Sequence, residues 1–292
     1  MRKIATGLLA FGLVFTAVAC GDDSGGSASG TGGGGSFGDC TVTATKGTLG
    51  DVKLAHDGEL TVATNLPAPG FWNGDDPDSV KSGYEYCMAA DIATALGLDK
   101  VKVVQVSFDA LVAGQTSDFD IALSQVTITD ERKKVVDFSV PYFSSDQGVL
   151  VNKGTTISNI DEAKKAKWGV QASTTGQQYL TDVVKPDSEP SVYQDTPSMF
   201  AALTAKQIDA VMLDTSIVLG QAAQSNGAQV VVAQFKTGEE YGGIYQKGSP
   251  NEDAINKIIQ GFADDGTLKA LSGEYLVPQF HGDPNSIPYI TP

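Results

Sequence analysis

From residue 58 onward, short runs of β-branched and apolar residues alternate with stretches whose apolar residues recur at helical spacing. The first kind predicts buried strands, which we place at 59–65, 101–106, 119–125, 147–153, 166–171, 191–194, 208–214 and 228–234. The second kind predicts helices, at 86–96, 108–112, 197–205, 215–224 and 251–262, with a shorter one in "DDGTLKALSGEYL". This order is typical of an α/β protein, with parallel strands and helices on both faces of the sheet.

The first residues have the pattern of a processing signal rather than of a folded element. The basic residues Arg2 and Lys3 precede a short apolar run, and small residues stand directly before Cys20. This pattern resembles a bacterial lipoprotein signal, which implies that 1–19 is removed and that Cys20 carries a lipid. A plain secretory signal followed by a chance cysteine is the alternative. Residues 20–39 are rich in glycine and serine, which predicts a flexible tether.

Composition narrows the possible classes of function. The chain has 292 residues, of which 41% are hydrophobic, and its formal net charge is −15. Nucleic acids and anionic lipid surfaces require a basic face, so neither is an expected partner. The two histidines, His56 and His281, do not stand at a metal-ligand spacing. We therefore expect no metal, no other cofactor and no histidine-based nucleophilic catalysis.

Two further cysteines follow the tether. Cys40 comes directly after it, and Cys87 lies within a predicted helix. Outside the cytoplasm two cysteines usually pair, which predicts a disulfide that pins the N-terminal segment to the folded body. A buried free thiol at Cys87 is the alternative.

Arg132 is the only arginine besides Arg2. A guanidinium can hold a carboxylate through two parallel hydrogen bonds, which a lysine cannot do. This makes Arg132 a candidate anion ligand. The alternative role for Arg132 is a helix-surface ion pair with Glu131 or Asp137.

Several motifs occur in order along most of the chain: "GELTVATN", "GYEYCMAADIATALGL", "FDALVAGQTSDFDIALSQVTITDERKKVVDFSVPYF", "VQASTTGQQYL", "IDAVMLD" and "INKIIQGFADDGTLKAL". Together, over 58–275, they resemble the bacterial extracellular solute-binding proteins of polar amino-acid ABC transporters. The resemblance implies a periplasmic-binding-protein-like fold, in which two Rossmann-like α/β lobes are joined by two crossover hinge strands. Lobe one would comprise 57–142 and 243–292, and lobe two would comprise 147–238, with the ligand held between them.

The candidate binding residues stand at the carboxyl ends of predicted strands, where ligands of open α/β sheets bind. An amino-acid zwitterion needs a cation for its carboxylate and an anion for its ammonium group. The resemblance implies that Arg132 and the Thr127 hydroxyl bind the carboxylate, together with groups near Gln125, whose long side chain could enter the pocket. Thr175 would contact the carboxylate from lobe two, unless "STTGQ" only caps a helix. Asp214 is the predicted ammonium partner and also suits a helix N-cap.

Aromatic residues are expected to wall the pocket for the ligand side chain. Phe71 and Trp72 stand in a glycine- and proline-rich loop, which is hard to reconcile with a core position. We expect one or both of them to contact the ligand. By resemblance, Phe108 matches a pocket aromatic of the family. Asn65 stands where relatives often carry aspartate, and a neutral group there disfavours a cationic ligand side chain.

The sequence therefore predicts a monomeric, lipid-anchored receptor outside the cytoplasm. It would capture a polar L-amino acid, similar to glutamine or glutamate, and deliver it to an ABC transporter permease. Neutral ligands are favoured over glutamate because no second arginine is available for another carboxylate. One alternative is an enzyme similar to periplasmic cyclohexadienyl dehydratases, but Glu85 and Asp91 lie on the wrong predicted faces. The other alternative is a sensing or adhesion receptor on the same fold.

Overall fold

The computed structural model of the chain describes residues 37–280 and 284–292. The predicted signal peptide, the predicted lipid-bearing Cys20 and most of the predicted tether lie outside these residues. In the part of the chain that is described, no helix is both long enough and apolar enough to cross a membrane.

The described residues form ten strands and nine α-helices. The strands are β1 (Leu60–Thr64), β2 (Val101–Gln105), β3 (Ile121–Ala122), β4 (Val136–Phe138), β5 (Phe143–Asn152), β6 (Trp168–Gln171), β7 (Ser191–Tyr193), β8 (Ala210–Asp214), β9 (Gln229–Tyr241) and β10 (Ile244–Gln246). The helices are α1 (Tyr84–Ala95), α2 (Phe108–Val112), α3 (Ile160–Lys165), α4 (Thr175–Tyr179), α5 (Thr196–Thr204), α6 (Thr215–Gln224), α7 (Glu252–Asp265), α8 (Thr267–Leu271) and α9 (Val277–Phe280). They build two α/β lobes, which confirms the predicted fold class.

Lobe one is built on a five-stranded sheet of order β2-β1-β3-β10-β4. Strand β1 pairs in parallel with β2 and β3, as the strand–helix–strand order predicts, whereas β10 returns antiparallel. Successive side chains of a strand point to opposite faces of the sheet. Leu60 and Val62 accordingly pack in one hydrophobic cluster with residues of α1 and α7, and Ala63 packs in another with residues of α2.

Lobe two has a second five-stranded sheet, of order β7-β6-β8-β5-β9. Strand β6 pairs in parallel with β7 and β8, and β5 is antiparallel to both β8 and β9. Both faces are covered in the same alternating way. Met212 of β8 packs with Trp168 in one cluster, and its neighbour Leu213 packs with residues of α5 and α6 in the other.

Strands β5 and β9 connect the lobes and pair with each other where they cross. Phe143 lies opposite Tyr241, Ser144 opposite Glu240, and Ser145 opposite Glu239. The ladder then shifts register beyond Ser145 before it continues into lobe two. The hinge is therefore a two-stranded antiparallel ribbon.

The C-terminal residues 284–292 are bonded to lobe two, whereas they were predicted to belong to lobe one, and of these residues Ile287 does pack against the hydrophobic cluster of lobe one. The Gln234 amide donates to the Pro288 carbonyl at 2.9 Å, and the Ile290 amide donates to the Gln234 carbonyl at 2.9 Å. Ile290 is buried in the core of lobe two. Helix α9, which directly precedes residues 281–283, packs in the hydrophobic cluster of lobe one through Phe280 and also contacts α6 of lobe two.

The N-terminal segment is joined to lobe one by the predicted disulfide. Cys40 and Cys87 are bonded, with their Cα atoms 5.4 Å apart. Asp91, one turn further along α1, accepts hydrogen bonds from the amides of Thr43 and Ala44, both at 2.7 Å. The disulfide and these two hydrogen bonds thus attach the segment before β1 to helix α1.

Candidate functional site

A cavity lies between the lobes at the carboxyl ends of β1, β3 and β8. Its lining consists of Asn65, Pro67, Ala68, Phe108, Ser124, Gln125, Thr127 and Arg132 from lobe one, and Gln171, Thr174, Thr175, Thr196, Leu213, Asp214 and Ile217 from lobe two. The cavity volume is about 40 Å³, enough for about three water molecules. The cavity is therefore small in this structure, and residues of both lobes line it.

Arg132 begins a short 3₁₀ turn after β3 and is buried in the cleft. Its Nη1 donates to the Thr127 carbonyl at 2.7 Å, and its Nη2 donates to the Ser173 carbonyl of lobe two at 2.9 Å. The guanidinium also lies over the Phe108 ring, 5.5 Å from the centroid. Burial lowers the pKa of Arg132, although Asp214 and Glu239 favour its charged form. Arg132 is therefore a cleft residue and does not form the surface ion pair considered above.

Asp214 ends β8 and precedes α6, and it is buried opposite lobe one. Its Oδ2 accepts a hydrogen bond from the Tyr241 hydroxyl at 2.6 Å, and its Oδ1 accepts one from Nε2 of Gln147. Burial and the nearby charge of Glu239 raise the pKa of Asp214 to about 7. Although Asp214 occupies the N-cap position, its side chain makes no capping hydrogen bond. The carboxylate is thus directed to the cleft and the hinge rather than to the helix end.

Glu239, which was not predicted from the sequence, bonds to residues that line the cavity. It lies on the hinge strand β9, and its Oε2 accepts from the Thr127 hydroxyl at 2.6 Å and from the Thr175 hydroxyl at 2.7 Å. Its Oε1 accepts from Nε2 of Gln147 at 3.0 Å. A hydroxyl has one proton to donate. In this structure the hydroxyl protons of Thr127 and Thr175 are therefore committed to Glu239 and not available to a ligand carboxylate.

Gln147 is the second missed residue, and it links the two acids of the site. Its Nε2 donates to both Asp214 and Glu239. The side chain fits because Gly176 is beside it, where an added Cβ would lie 2.6 Å from its Oε1. Little in the sequence indicated a site role for these two residues. Gln147 begins a predicted strand, and Glu239 stands in the expected hinge.

Asn65 and Gln125 line the cavity, but their side chains are held by the protein. Nδ2 of Asn65 donates to the Val106 carbonyl at 2.9 Å. Nε2 of Gln125 donates to the buried carboxylate of Glu85, to which the Gln125 amide also donates at 2.9 Å. The two bonds hold Gln125 at φ 49°, a region that favours glycine. Gln125 thus lines the cavity, as expected, but its side-chain amide is bonded to a core carboxylate of lobe one.

Phe71 and Trp72 do not line the cavity, contrary to the prediction. Both are buried in the core of lobe one, at 1% and 0% exposure. Phe71 contacts the rings of Tyr84 and Phe143 edge-on. Trp72 is satisfied in the core because its indole Nε1 donates to Glu85 at 2.6 Å. The loop that carries Phe71 and Trp72 therefore packs into the core of lobe one. The partner of Trp72, Glu85, lies on α1, so the sequence of the loop alone did not indicate this contact.

Glu85 and Asp91 are both engaged inside the protein and lie away from the cavity. Glu85 is fully buried and accepts from Trp72, from Gln125 and from the Tyr142 hydroxyl. Burial raises the pKa of Glu85, and these hydrogen bonds oppose the rise. Across residues 37–280 and 284–292, no group of three histidine, cysteine or acidic side chains is placed to hold a metal ion.

The sequence of residues 60–278 matches the family described as bacterial extracellular solute-binding proteins, family 3. The chain is 34% identical over 231 residues to the L-cystine-binding protein TcyJ of Escherichia coli (strain K12), an alignment that covers 77% of this chain and 85% of TcyJ.

Solved structures agree with this match. An ancestral arginine-binding protein bound to glutamine is 31% identical, with a TM-score of 0.68 over 75% of this chain and 98% of that chain. An ancestral arginine-binding protein bound to arginine is 32% identical, with a TM-score of 0.66 over the same shares. The proteins that this chain resembles are thus named for binding amino acids.

Proposed function

This chain belongs to the bacterial extracellular solute-binding proteins, family 3, and we propose that it captures a free polar amino acid between its lobes for an ABC importer. The observation that carries the proposal is that one buried guanidinium and one buried carboxylic acid line the same cavity. Arg132 comes from lobe one and Asp214 from lobe two, and both line the same space. A zwitterion placed between them would bind both lobes at once, so it would favour the closed form over the open form.

We assign the ligand's carboxylate to Arg132. A guanidinium carries five N–H donors. In Arg132, one N–H of Nη1 and one N–H of Nη2 donate to backbone carbonyls. The remaining N–H groups can donate to a carboxylate, and the hydrogen bonds to the two backbone carbonyls hold the guanidinium in place for it. A carboxylate bound here would be shielded from water, which strengthens the charge-assisted hydrogen bonds.

We assign the ligand's ammonium group to Asp214 and to the hydroxyl oxygens of Thr127 and Thr175. Because both hydroxyls donate to Glu239, they present only lone pairs to the cavity. Lone pairs suit a donor such as an ammonium group and repel a carboxylate. This assignment replaces the expectation that these two hydroxyls bind the ligand's carboxylate.

The charges of the site favour a neutral polar ligand over an acidic one. One guanidinium faces two carboxylates, Asp214 and Glu239, before any ligand binds. A zwitterion with a neutral side chain leaves this balance unchanged, whereas glutamate would add a second buried negative charge. We therefore propose a ligand of the glutamine or cystine type, which is supported by the L-cystine-binding relative and by the ancestral arginine-binding protein that was solved with glutamine bound.

Apolar residues form part of the cavity lining, namely Pro67, Ala68, Phe108, Leu213 and Ile217. The other lining residues are polar or charged. Among them, Gln171 and Thr196 of lobe two are available for contacts with a polar ligand side chain.

Delivery to the membrane is proposed on the family membership and on the N-terminal sequence. A lipid on Cys20 and a glycine-rich tether would keep a monomeric receptor near its permease, outside the cytoplasm. A thermal-shift screen of the purified protein against the twenty amino acids and L-cystine tests the binding function. A ligand at 100 times its Kd stabilises the folded protein by about 2.7 kcal/mol. No shift with any of these compounds would contradict the proposal.

A further inference from the structure

The carboxylate of Glu239 joins three parts of the molecule. Its Oε2 receives hydroxyl protons from Thr127 of lobe one and Thr175 of lobe two, at 2.6 and 2.7 Å. Glu239 itself belongs to the hinge ribbon, where it pairs with Ser145. One oxygen atom therefore holds residues from both lobes, and separating the lobes must break at least one of these two bonds.

The position of Glu239 distinguishes it from the residues that would touch a ligand. Thr127 and Thr175 line the central cavity, but they also line a second, more open pocket on the hinge side, and Glu239 lines only this second pocket. The Glu239 carboxylate thus lies on the hinge side of the two hydroxyls, outside the lining of the central cavity. It can influence a bound ligand by orienting these hydroxyls, without contacting the ligand itself.

We propose that Glu239 is a positioning residue that latches the closed form and turns the Thr127 and Thr175 hydroxyls so that their lone pairs face the ligand. The latch consists of bonds that form only when the lobes meet, so it shifts the balance between open and closed forms before any ligand arrives. Its second effect, on ligand affinity, rests on the proposed function. The two effects have separate measurements.

Glutamine at position 239 cannot replace the latch completely. The two oxygens of the Glu239 carboxylate accept from three donors, which are Thr127, Thr175 and Gln147. A carboxamide has one accepting oxygen, and its nitrogen only donates. Glu239→Gln therefore loses at least one bond of the set, whereas Glu239→Ala loses all three.

Glu240 provides the matched control. It is the next residue on the same strand, carries the same charge and has an exposed side chain. Its backbone carbonyl accepts from the Ile128 amide at 2.8 Å, a bond that a side-chain change leaves in place. Glu240→Ala and Glu240→Gln thus change the net charge and the hinge sequence equally without touching the latch.

The first experiment needs no ligand. Small-angle X-ray scattering on the ligand-free protein compares the radius of gyration of the wild type, Glu239→Ala and Glu240→Ala. We expect a larger radius, reporting open lobes, only in Glu239→Ala. Melting curves check that both variants are folded. A folded Glu239→Ala variant with the wild-type radius of gyration would overturn the latch.

The second experiment measures affinity by calorimetric titration with L-glutamine and with L-cystine. Loss of charge-assisted hydrogen bonds that form only on closure should weaken binding about tenfold or more in Glu239→Ala, mainly through faster dissociation. We expect an intermediate loss in Glu239→Gln and none in the Glu240 variants. Tighter binding by Glu239→Ala would show that Glu239 competes with the ligand for the hydroxyl protons, which also overturns the latch. A wild-type protein that binds neither compound counts against the proposed ligand class, while the scattering comparison still decides the latch.

Discussion

Nη2 of Arg132 in lobe one donates a 2.9 Å hydrogen bond to the Ser173 carbonyl in lobe two. The cation proposed to hold the ligand's carboxylate therefore also bridges the two lobes. Its second anchor, the Thr127 carbonyl, belongs to its own lobe. The fork is thus oriented by backbone groups on both sides of the cleft, and its geometry matters as much as its charge.

Replacing Arg132 by lysine tests whether this fork is required. Lysine keeps the positive charge but cannot make two parallel hydrogen bonds to one carboxylate. We expect Arg132→Lys to weaken amino-acid binding about 100-fold, or ~2.7 kcal/mol, as measured by calorimetry. Lys133→Ala, on the exposed side of the same turn, is the control and should bind as the wild type does. Wild-type affinity in Arg132→Lys would remove Arg132 from the carboxylate site.

The raised pKa of Asp214, about 7, predicts that ligand affinity depends on pH. The ammonium group requires an ionised Asp214, and the groups that face it are Arg132, Glu239 and Tyr241. As pH falls through about 7, Asp214 takes up a proton in the ligand-free protein and loses its attraction for the ammonium. We expect affinity to be nearly constant above that pH and to fall by up to about tenfold per pH unit below it.

Calorimetric titrations between pH 5 and pH 8 measure this dependence. Asp214→Asn should bind weakly at every pH and lose the dependence, because an amide does not titrate in this range. The exposed Asp187→Asn is the charge-matched control in lobe two. A wild-type affinity that stays constant from pH 8 to pH 5 would contradict the assignment of the ammonium to Asp214.

Trp72→Phe separates a core role from a ligand-contact role. The change keeps an aromatic ring but removes the indole N–H that donates to Glu85. The buried carboxylate then loses one of its donors, and we expect the free energy of unfolding to fall by about 1–3 kcal/mol. Ligand affinity should stay within about twofold of the wild type. A loss of affinity without a loss of stability, in urea unfolding and calorimetry, would restore Trp72 to the binding site.

The Cys40–Cys87 disulfide joins two residues that are 47 positions apart in the sequence. In the loop-entropy account, such a cross-link contributes about 4 kcal/mol by restricting the unfolded chain. The variant with serine at both positions should therefore unfold at lower urea concentration than the wild type. Reducing agent should lower the midpoint of the wild type but leave that of the double variant unchanged. A similar response of both proteins would argue against the disulfide.

The predicted elements matched the structure best where the local pattern alone decides them. Helix α6 and strand β8 coincide closely with predicted segments, because helical spacing and a buried apolar run are both local signals. The strands β4 and β10 were missed. Each has three residues, and they exist because Ile244 and Phe138 pair across a long stretch of chain. No local pattern encodes such a pairing.

The site was predictable where a residue type has few alternative uses. A single arginine inside a recognisable motif, and an acid at a strand end, were found from the sequence. Phe71 and Trp72 were misplaced because their burial depends on Glu85, Tyr84 and Phe143, which the loop meets only in the folded lobe. Glu239 was missed because acidic residues are common in exposed hinges, and its two hydroxyl partners are more than sixty residues away.

The two ends of the folded body are attached to different lobes. Phe37 packs in the core of lobe one, and Cys40 is bonded to α1, whereas Ile290 is buried in lobe two. Two fluorescent proteins, one fused at each end, would therefore move with different lobes. Energy transfer between them would then change whenever the lobes rotate relative to each other. The wild-type topology thus already suits a genetically encoded amino-acid sensor, without circular permutation.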